Sequence, residues 1–303
     1  MFVIKFRKIF YTISVVLIAA SLYGISAYGL KLGIDFKGGT SIEVTCTKPV
    51  DINSTNDILS HQMLEKPLGE FSVRTQGEFG AIVRTRELTP AETTQITQIF
   101  TLGDQCSVAN VNTVGSILGD EFTTKALKSI FYVVIAIVLF ITFAFRGVSK
   151  PVSSWKYGVA AVVALLHDIV IPTGVYAFLG HYAGFEVDSL FVTALLVVLG
   201  FSVHDTIVVF DRTRENLHKN NKEKSKKTFE EVVGASVSQT FTRSINTSLT
   251  TMIALVVLYI YGAEATQHFA LTLLIGIAVG TYSSIFIGSP LLVTMEKFQR
   301  KEN

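Results

Sequence analysis

Charge is scarce in this sequence. Asp, Glu, Lys and Arg make up 17% of its 303 residues, where a soluble domain carries about 25%. Apolar residues make up 49%, and the mean hydropathy is +0.47. That balance argues against a soluble globular chain and for one that meets lipid. A net charge of only +2 leaves no electrostatic footprint for nucleic acid. Cysteine is scarcer still: Cys46 and Cys106 stand alone, without the CxxC or Cys/His spacing of a metal site. Neither a nucleophile–base set nor a metal triad is visible. A membrane-embedded hydrolase therefore has no support, and the chain reads as a non-enzyme without cofactor or metal.

Apolar runs are what the sequence has in quantity. A bilayer crossing needs roughly 20 apolar residues, and six stretches reach that length: residues 10–30, 126–145, 157–179, 189–210, 239–262 and 267–292. The first follows KFRK, but it exceeds the roughly 7–15 residues of a signal-peptide core, so it reads as an uncleaved anchor. Basic residues mark one side of the spans. Lys5, Arg7 and Lys8 precede the first span, and Arg146, Lys150 and Lys156 separate the second from the third. Lys219, Lys222, Lys224, Lys226 and Lys227 crowd the loop 211–238, and Lys297, Arg300 and Lys301 follow the last span. The short loops GHYAGFEVD and GAEAT have neither Lys nor Arg. Both termini and the basic loop are thus expected in the cytoplasm, and residues 31–122 outside.

Residues 31–122 alternate in type. TSIEVTCT (40–47) reads as a strand with Ile42, Val44 and Cys46 on one face, and DINSTNDILSHQML as a helix opened by a capping Asp. FSVRTQ and AIVRTRE, separated by Gly77 and Gly80, read as a hairpin. TPAETTQITQIF has Thr89 as N-cap, Pro90 in the first turn and Glu92 behind it, and CSVANVNTV closes the set as a strand. This order is βαββαβ, the ferredoxin-like arrangement, in which first and last strands are antiparallel neighbours. Cys46 ends the first and Cys106 begins the last, so they form either a disulfide or two buried free thiols. The core is small, which favours a presenting surface over a deep pocket. The expected fold class is a polytopic α-helical membrane protein: six transmembrane helices, with a small α+β ferredoxin-like periplasmic domain between helices one and two. A five-helix bundle occupies 123–296 and a cytoplasmic tail 297–303.

Polar residues inside the spans are the candidate site, because an ionised group at mid-membrane costs about 2.5–3.5 kcal/mol on insertion scales. GFSVHDTIVVFDR (200–212) places Ser202, Asp205 and Thr206 on one helix face. TRSINTSLTT gives the next span a stripe of Arg243, Asn246, Thr247 and Thr250 at comparable depth, so Asp205 and Arg243 are expected to form an ion pair. Asp168, preceded by His167, shares a face with Ala161 and Ala164 and is expected nearer the exterior, as a successive step of a proton path. His204 is a candidate second carrier. Gly276 and Gly280 form a GxxxG that reads as a packing notch. Asp211, Arg212 and Arg214 read as electrostatic anchors at a span end. GIDFKGGT (33–40) lacks the GK[ST] of a phosphate loop, and Gly38–Gly39 suits a tight bend into the first strand.

Two stretches together, GIDFKGGT and GFSVHDTIVVFDRTREN (200–216), resemble the motifs of the SecD/SecF family of protein-export membrane proteins, relatives of the resistance-nodulation-division transporters. The resemblance covers the whole chain, and the small exported region suits the smaller branch of that family. It implies an accessory subunit of the Sec export machinery that couples the proton or sodium motive force to late steps of translocation. The implied location is the bacterial inner membrane. The implied partners are a SecD-like subunit, the SecYEG translocon, YajC-like and YidC-like membrane proteins, and the unfolded polypeptide in transit. Asp205 and Arg243 match the family's ion-coupling pair, with H⁺ or Na⁺ as coupling ion; Gly33, Asp35, Gly38 and Gly39 match the motif at the domain's start. One departure stands out: the family usually reads Ser-Val-Asn-Asp where this chain has Ser202-Val203-His204-Asp205. The alternative is a small-molecule or lipid exporter subunit of the resistance-nodulation-division type, which calls for a sizeable apolar pocket.

Overall fold

A computed structural model of the chain describes residues 2–61, 64, 66–101, 106–146, 154–225 and 227–302. Gln62, Met63, Lys150 and Lys226 lie outside the described residues, as do the side chains of Arg300 and Lys301. The chain forms two compact units, one of residues 32–127 and one of residues 1–31 with 128–303.

Helices α1 (Phe2–Lys5) and α2 (Arg7–Tyr28) open the chain. The α+β unit then follows as α3 (Ile34–Lys37), β1 (Gly39–Cys46), α4 (Ile52–Ser60), β2 (Ser72–Gln76), β3 (Gly80–Thr85), α5 (Pro90–Thr101) and β4 (Cys106–Val114). Strand order is β2-β3-β1-β4, and each neighbouring pair is antiparallel. That is the ferredoxin-like topology expected from the element order. The period of two puts Ile42 and Val44 of β1 and Ala81 and Val83 of β3 into one core with Leu59 of α4 and Ile96 of α5. Asp51 caps α4, accepting from the Asn53 N–H at 3.0 Å. A capping box opens α5: the Glu92 N–H donates to Thr89 Oγ1 at 3.3 Å, and the Thr89 N–H donates to Glu92 Oε2 at 2.9 Å. Arg86 adds two further donors to Glu92, at 2.6 and 3.1 Å.

Gly38 and Gly39 make the bend into β1 with φ of +75° and +141°, conformations that side chains resist. Space forbids a side chain as well, since a Cβ on Gly38 would lie 2.7 Å from Ser116 Cα and one on Gly39 2.5 Å from the Thr85 carbonyl oxygen. Cys46 and Cys106 face each other in the β1–β4 register and are joined as a disulfide. The two-thiol alternative therefore falls away.

The chain continues with α6 (Ser116–Ala144), α7 (Ser154–Tyr182), α8 (Ser189–Lys222), α9 (Phe229–Tyr261), α10 (Glu264–Ser283), a π-helical turn (Ser284–Gly288) and α11 (Ser289–Glu302). Among the described residues, six helical segments are long and apolar enough to cross a membrane, the sixth being α10 through α11. The apolar windows of α7, α8 and α10–α11 are 56%, 50% and 61% buried, against 17%, 6% and 17% for α2, α6 and α9. The first three thus make the interior of the bundle, and the others its periphery.

Two boundaries differ from the hydropathy reading. Helix α6 starts at Ser116, about three turns before its apolar run. The stretch 211–238 is no loop either. Helix α8 runs on to Lys222, and α9 starts at Phe229 behind a Thr228–Glu231 capping box. Leu217 on α8 and Phe229, Val232, Val233 and Val237 on α9 join the same core cluster. Charge-rich but amphipathic sequence of this kind is invisible to a hydropathy window yet forms good helix.

Three measurements test this architecture on the full-length solubilised chain. Replacing Cys46 and Cys106 by Ala opens a link across 60 residues and should cost about 4 kcal/mol of stability in urea titration. Gly276→Leu drives a side chain into Val198, whose Cγ2 is already 2.2 Å from a Cβ built at Gly276; thermal unfolding should show a loss of about 1–3 kcal/mol. The third concerns acid. The Arg86 guanidinium, helped by the Thr89 N–H, holds the Glu92 carboxyl at about 2 instead of 4.5. A lowered folded-state value contributes stability that is complete above pH 4.5 and is lost as pH falls toward 2. Glu92→Gln should remove that acid-side slope.

Candidate ion-coupling site

Helices α8 and α10 approach closely because small residues line the contact. A Cβ on Gly276 would lie 2.2 Å from Val198 Cγ2, and one on Gly280 would lie 3.1 Å from Ser202 Cβ. The GxxxG is therefore an internal notch. It brings the end of α10 against α8 where Ser202, Asp205 and Thr206 are buried. At that point the helix widens into the π turn. Pro290, just beyond, has no N–H for the Phe286 carbonyl four residues back, and Ser289 Oγ donates to the Ser284 carbonyl at 3.1 Å.

Consecutive residues on a helix point about 100° apart, and here that angle serves two different carboxylates. Ser283 Oγ donates to Asp168 Oδ2 at 2.7 Å, while Ser284 Oγ donates to Asp205 Oδ2. Ser202 Oγ gives Asp168 Oδ2 a second hydrogen bond at 2.5 Å, and Ser244 Oγ of α9 gives one to Asp205 Oδ1 at 2.5 Å. His167 Nδ1 lies 2.9 Å from Asp168 Oδ1. Asp168 is 0% exposed and Asp205 7%. Asp168 meets α8 at Ser202, about 4.5 Å along the axis before Asp205. Four serines from three helical segments thus solvate two carboxylates where water would otherwise be needed.

The expected ion pair between Asp205 and Arg243 is absent. Asp205 bonds to Ser244 and Ser284, while Arg243, one residue away on α9, is exposed. Its stripe-mates Asn246, Thr247 and Thr250 are exposed too. The buried face of α9 is instead Ser236, Thr240, Ser244 and Ser248, with Ser248 bonded to Thr281 Oγ1 at 2.5 Å. Steric reasons favour that face: small hydroxyls at every fourth residue allow close helix contact, whereas a guanidinium would hold α8 and α9 apart. The fourfold spacing of Ser and Thr was the signal in the sequence that pointed to Ser244. His204 is exposed on α8, turned away from its neighbour Asp205. Gly33, Asp35, Gly38 and Gly39 belong to the α+β unit and are not among the residues around the two carboxylates; Gly33 caps α3, its carbonyl accepting from Phe36 and Lys37 at 3.1 Å each.

The chain is similar to known proteins. The family described as protein export membrane protein SecD/SecF, C-terminal, matches residues 94–298, and the SecD/SecF GG motif matches residues 23–50. A protein translocase subunit SecF from Thermobaculum terrenum is 40% identical, over 97% of this chain and 93% of that one. The SecF subunit of Vibrio alginolyticus is 35% identical, over 96% and 88%. Among solved structures, SecDF from Thermus thermophilus, described as a translocon-associated membrane protein, superposes with a TM-score of 0.84 at 29% identity. The match takes in 97% of this chain but only 38% of that SecDF chain. On these grounds the chain belongs to the SecF family of protein translocase subunits, as a multi-pass membrane protein.

Proposed function

We propose that this subunit works beside a SecD-like partner and couples an ion gradient to protein export, with Asp205 as the residue whose charge changes. The carrying observation is a carboxyl group buried at membrane depth and held by neutral hydroxyls from two other helical segments, Ser244 and Ser284. An ionised group so placed is costly, and no Lys or Arg among the described residues bonds to it to lock it in that state. Asp168 of α7, which meets α8 one turn before Asp205 and is held by Ser202, Ser283 and His167, extends the path. The coupling ion on this reading is H⁺ or Na⁺, and no organic cofactor is involved.

A partner half is supported by the outer face of α9. Arg243, Asn246, Thr247 and Thr250 are exposed there, in a helix apolar enough to cross a membrane. The threonine hydroxyls donate to carbonyls of their own helix, but the Arg243 guanidinium and the Asn246 amide do not face hydrocarbon at low cost, so another helix bundle with matching polar groups covers them. The matched SecDF chain is more than twice as long as the stretch this chain spans, which leaves room for a SecD-like half. Basic residues gathered at one set of span ends support the inner membrane with cytoplasmic termini. Arg7 and Lys297, from opposite ends of the chain, both pair there with Glu230. SecYEG and the unfolded chain in transit complete the reading, with YajC-like and YidC-like proteins as further neighbours.

The test is export into inverted membrane vesicles with and without an imposed gradient. Asp205→Asn, which keeps the shape but not the charge, should bring gradient-stimulated export down to the level seen without a gradient. Full gradient dependence in that variant would remove Asp205 from the role.

A further inference from the structure

His167 lies beside the carboxylate pair without a part in the scheme above. It is 2% exposed. Its Nδ1 lies 2.9 Å from Asp168 Oδ1, and a carboxylate that already accepts from Ser202 and Ser283 needs no proton of its own to be satisfied. The shared proton is therefore on Nδ1, and Nε2 carries the ring's lone pair. That Nε2 is buried and has no hydrogen-bond partner. The ring thus has one nitrogen held by an anion and one open to a proton, and the charge that a proton brings is offset by the Asp168 carboxylate.

We infer that His167 is a second proton-carrying group of this subunit: it takes a proton at Nε2 and holds it as an imidazolium paired with the Asp168 carboxylate. The inference rests on the proton-coupled form of the reading above. Uptake turns a buried pair of net charge −1 into a neutral one, and release restores it, while the Nδ1–H bond to Asp168 persists through both. In a bilayer that sign of change is favourable, because the uncompensated carboxylate is the costly state.

The surroundings leave Asp168 as the anion in contact with the ring. On α10, Tyr282 lies nearly parallel to it, with centroids 6.0 Å apart, and its hydroxyl donates to the Phe10 carbonyl at 2.9 Å. On α8, Asp205 is bonded to its own serines and His204 is turned outward. Helix α2 has no Asp, Glu, Lys, Arg or His from Ile9 to Tyr28. On α11, Lys297 is paired with Glu230, and Glu296 is the residue before it. Helix α7 is itself loosened at this point: Pro172 has no N–H to give the Asp168 carbonyl four residues back.

The discriminating variant is His167→Asn, whose amide keeps a donor near the Nδ1 position but cannot titrate. Proton uptake by the solubilised full-length chain on stepwise acidification, followed with a pH indicator, should be lower in the variant by about one proton per chain. Export in vesicles should lose part of its dependence on external pH. If the variant does not accumulate, His167→Gln serves the same titration, since it too lacks the ring. Unchanged proton uptake overturns the inference, and so does an unaltered pH profile of export. Neither result touches the role of Asp205, which stands or falls with Asp205→Asn.

Discussion

The bundle depends on one constraint: two carboxyl groups lie where water does not reach, and hydroxyls must do water's work. Each hydroxyl has to arrive from a neighbouring helix at hydrogen-bond distance, so backbones must come unusually close. Gly276 and Gly280 supply the approach between α8 and α10. The buried face of α9, with Ser236, Thr240, Ser244 and Ser248, does so on the other side. The π turn at Ser284 is the third device, since it ends α10 where two adjacent serines point at two different acids. Packing and polarity are therefore the same problem here. A larger residue at either glycine would move a hydroxyl off its carboxylate as well as strain the core.

The α+β unit solves a different problem with different means. Its apolar core is small, and fixed links hold it: the Cys46–Cys106 disulfide at one edge of the sheet and the Arg86–Glu92–Thr89 cluster at the start of α5. The glycine pair at 38 and 39 sets where β1 begins, because both its backbone angles and its neighbours exclude a side chain. That gives a physical reason for the motif which needs no ligand.

How far the sequence could be read follows from the kind of signal each feature leaves. Spans are written in hydropathy over about 20 residues, so all six were legible. The βαββαβ order was legible too, since capping residues and period-two alternation are local. Asp205 and Asp168 stood out as acids among apolar residues. What failed was rotation. Choosing between Arg243 and Ser244 means fixing which side of α9 faces α8, and the two differ by about 100°. Charge drew the choice to Arg243, while steric fit selects Ser244. The helical ends of α8 and α9 were missed because amphipathic, charge-rich helix looks like loop to a hydropathy window. Neither the π turn nor the bonding of consecutive serines to separate acids has a local sequence signal beyond Pro290.

Hydroxyl partners also decide what a change of charge costs. An Arg that partners a buried carboxylate can only donate, so protonating the acid would strand a cation, at about 3–5 kcal/mol. A field of 100 mV acting on one charge supplies about 2.3 kcal/mol, which falls short. A serine hydroxyl donates and accepts. When the carboxylate gains a proton, Ser284 or Ser244 can turn and accept from the new O–H, and no polar group is left without a partner. Both states of the acid are then satisfied within the same packing. Under the proposed coupling, the rotation of a hydroxyl then replaces the rupture of an ion pair. The exposure of Arg243 on α9 fits the proposed coupling, because a fixed cation at the carboxylate would pin its charged state.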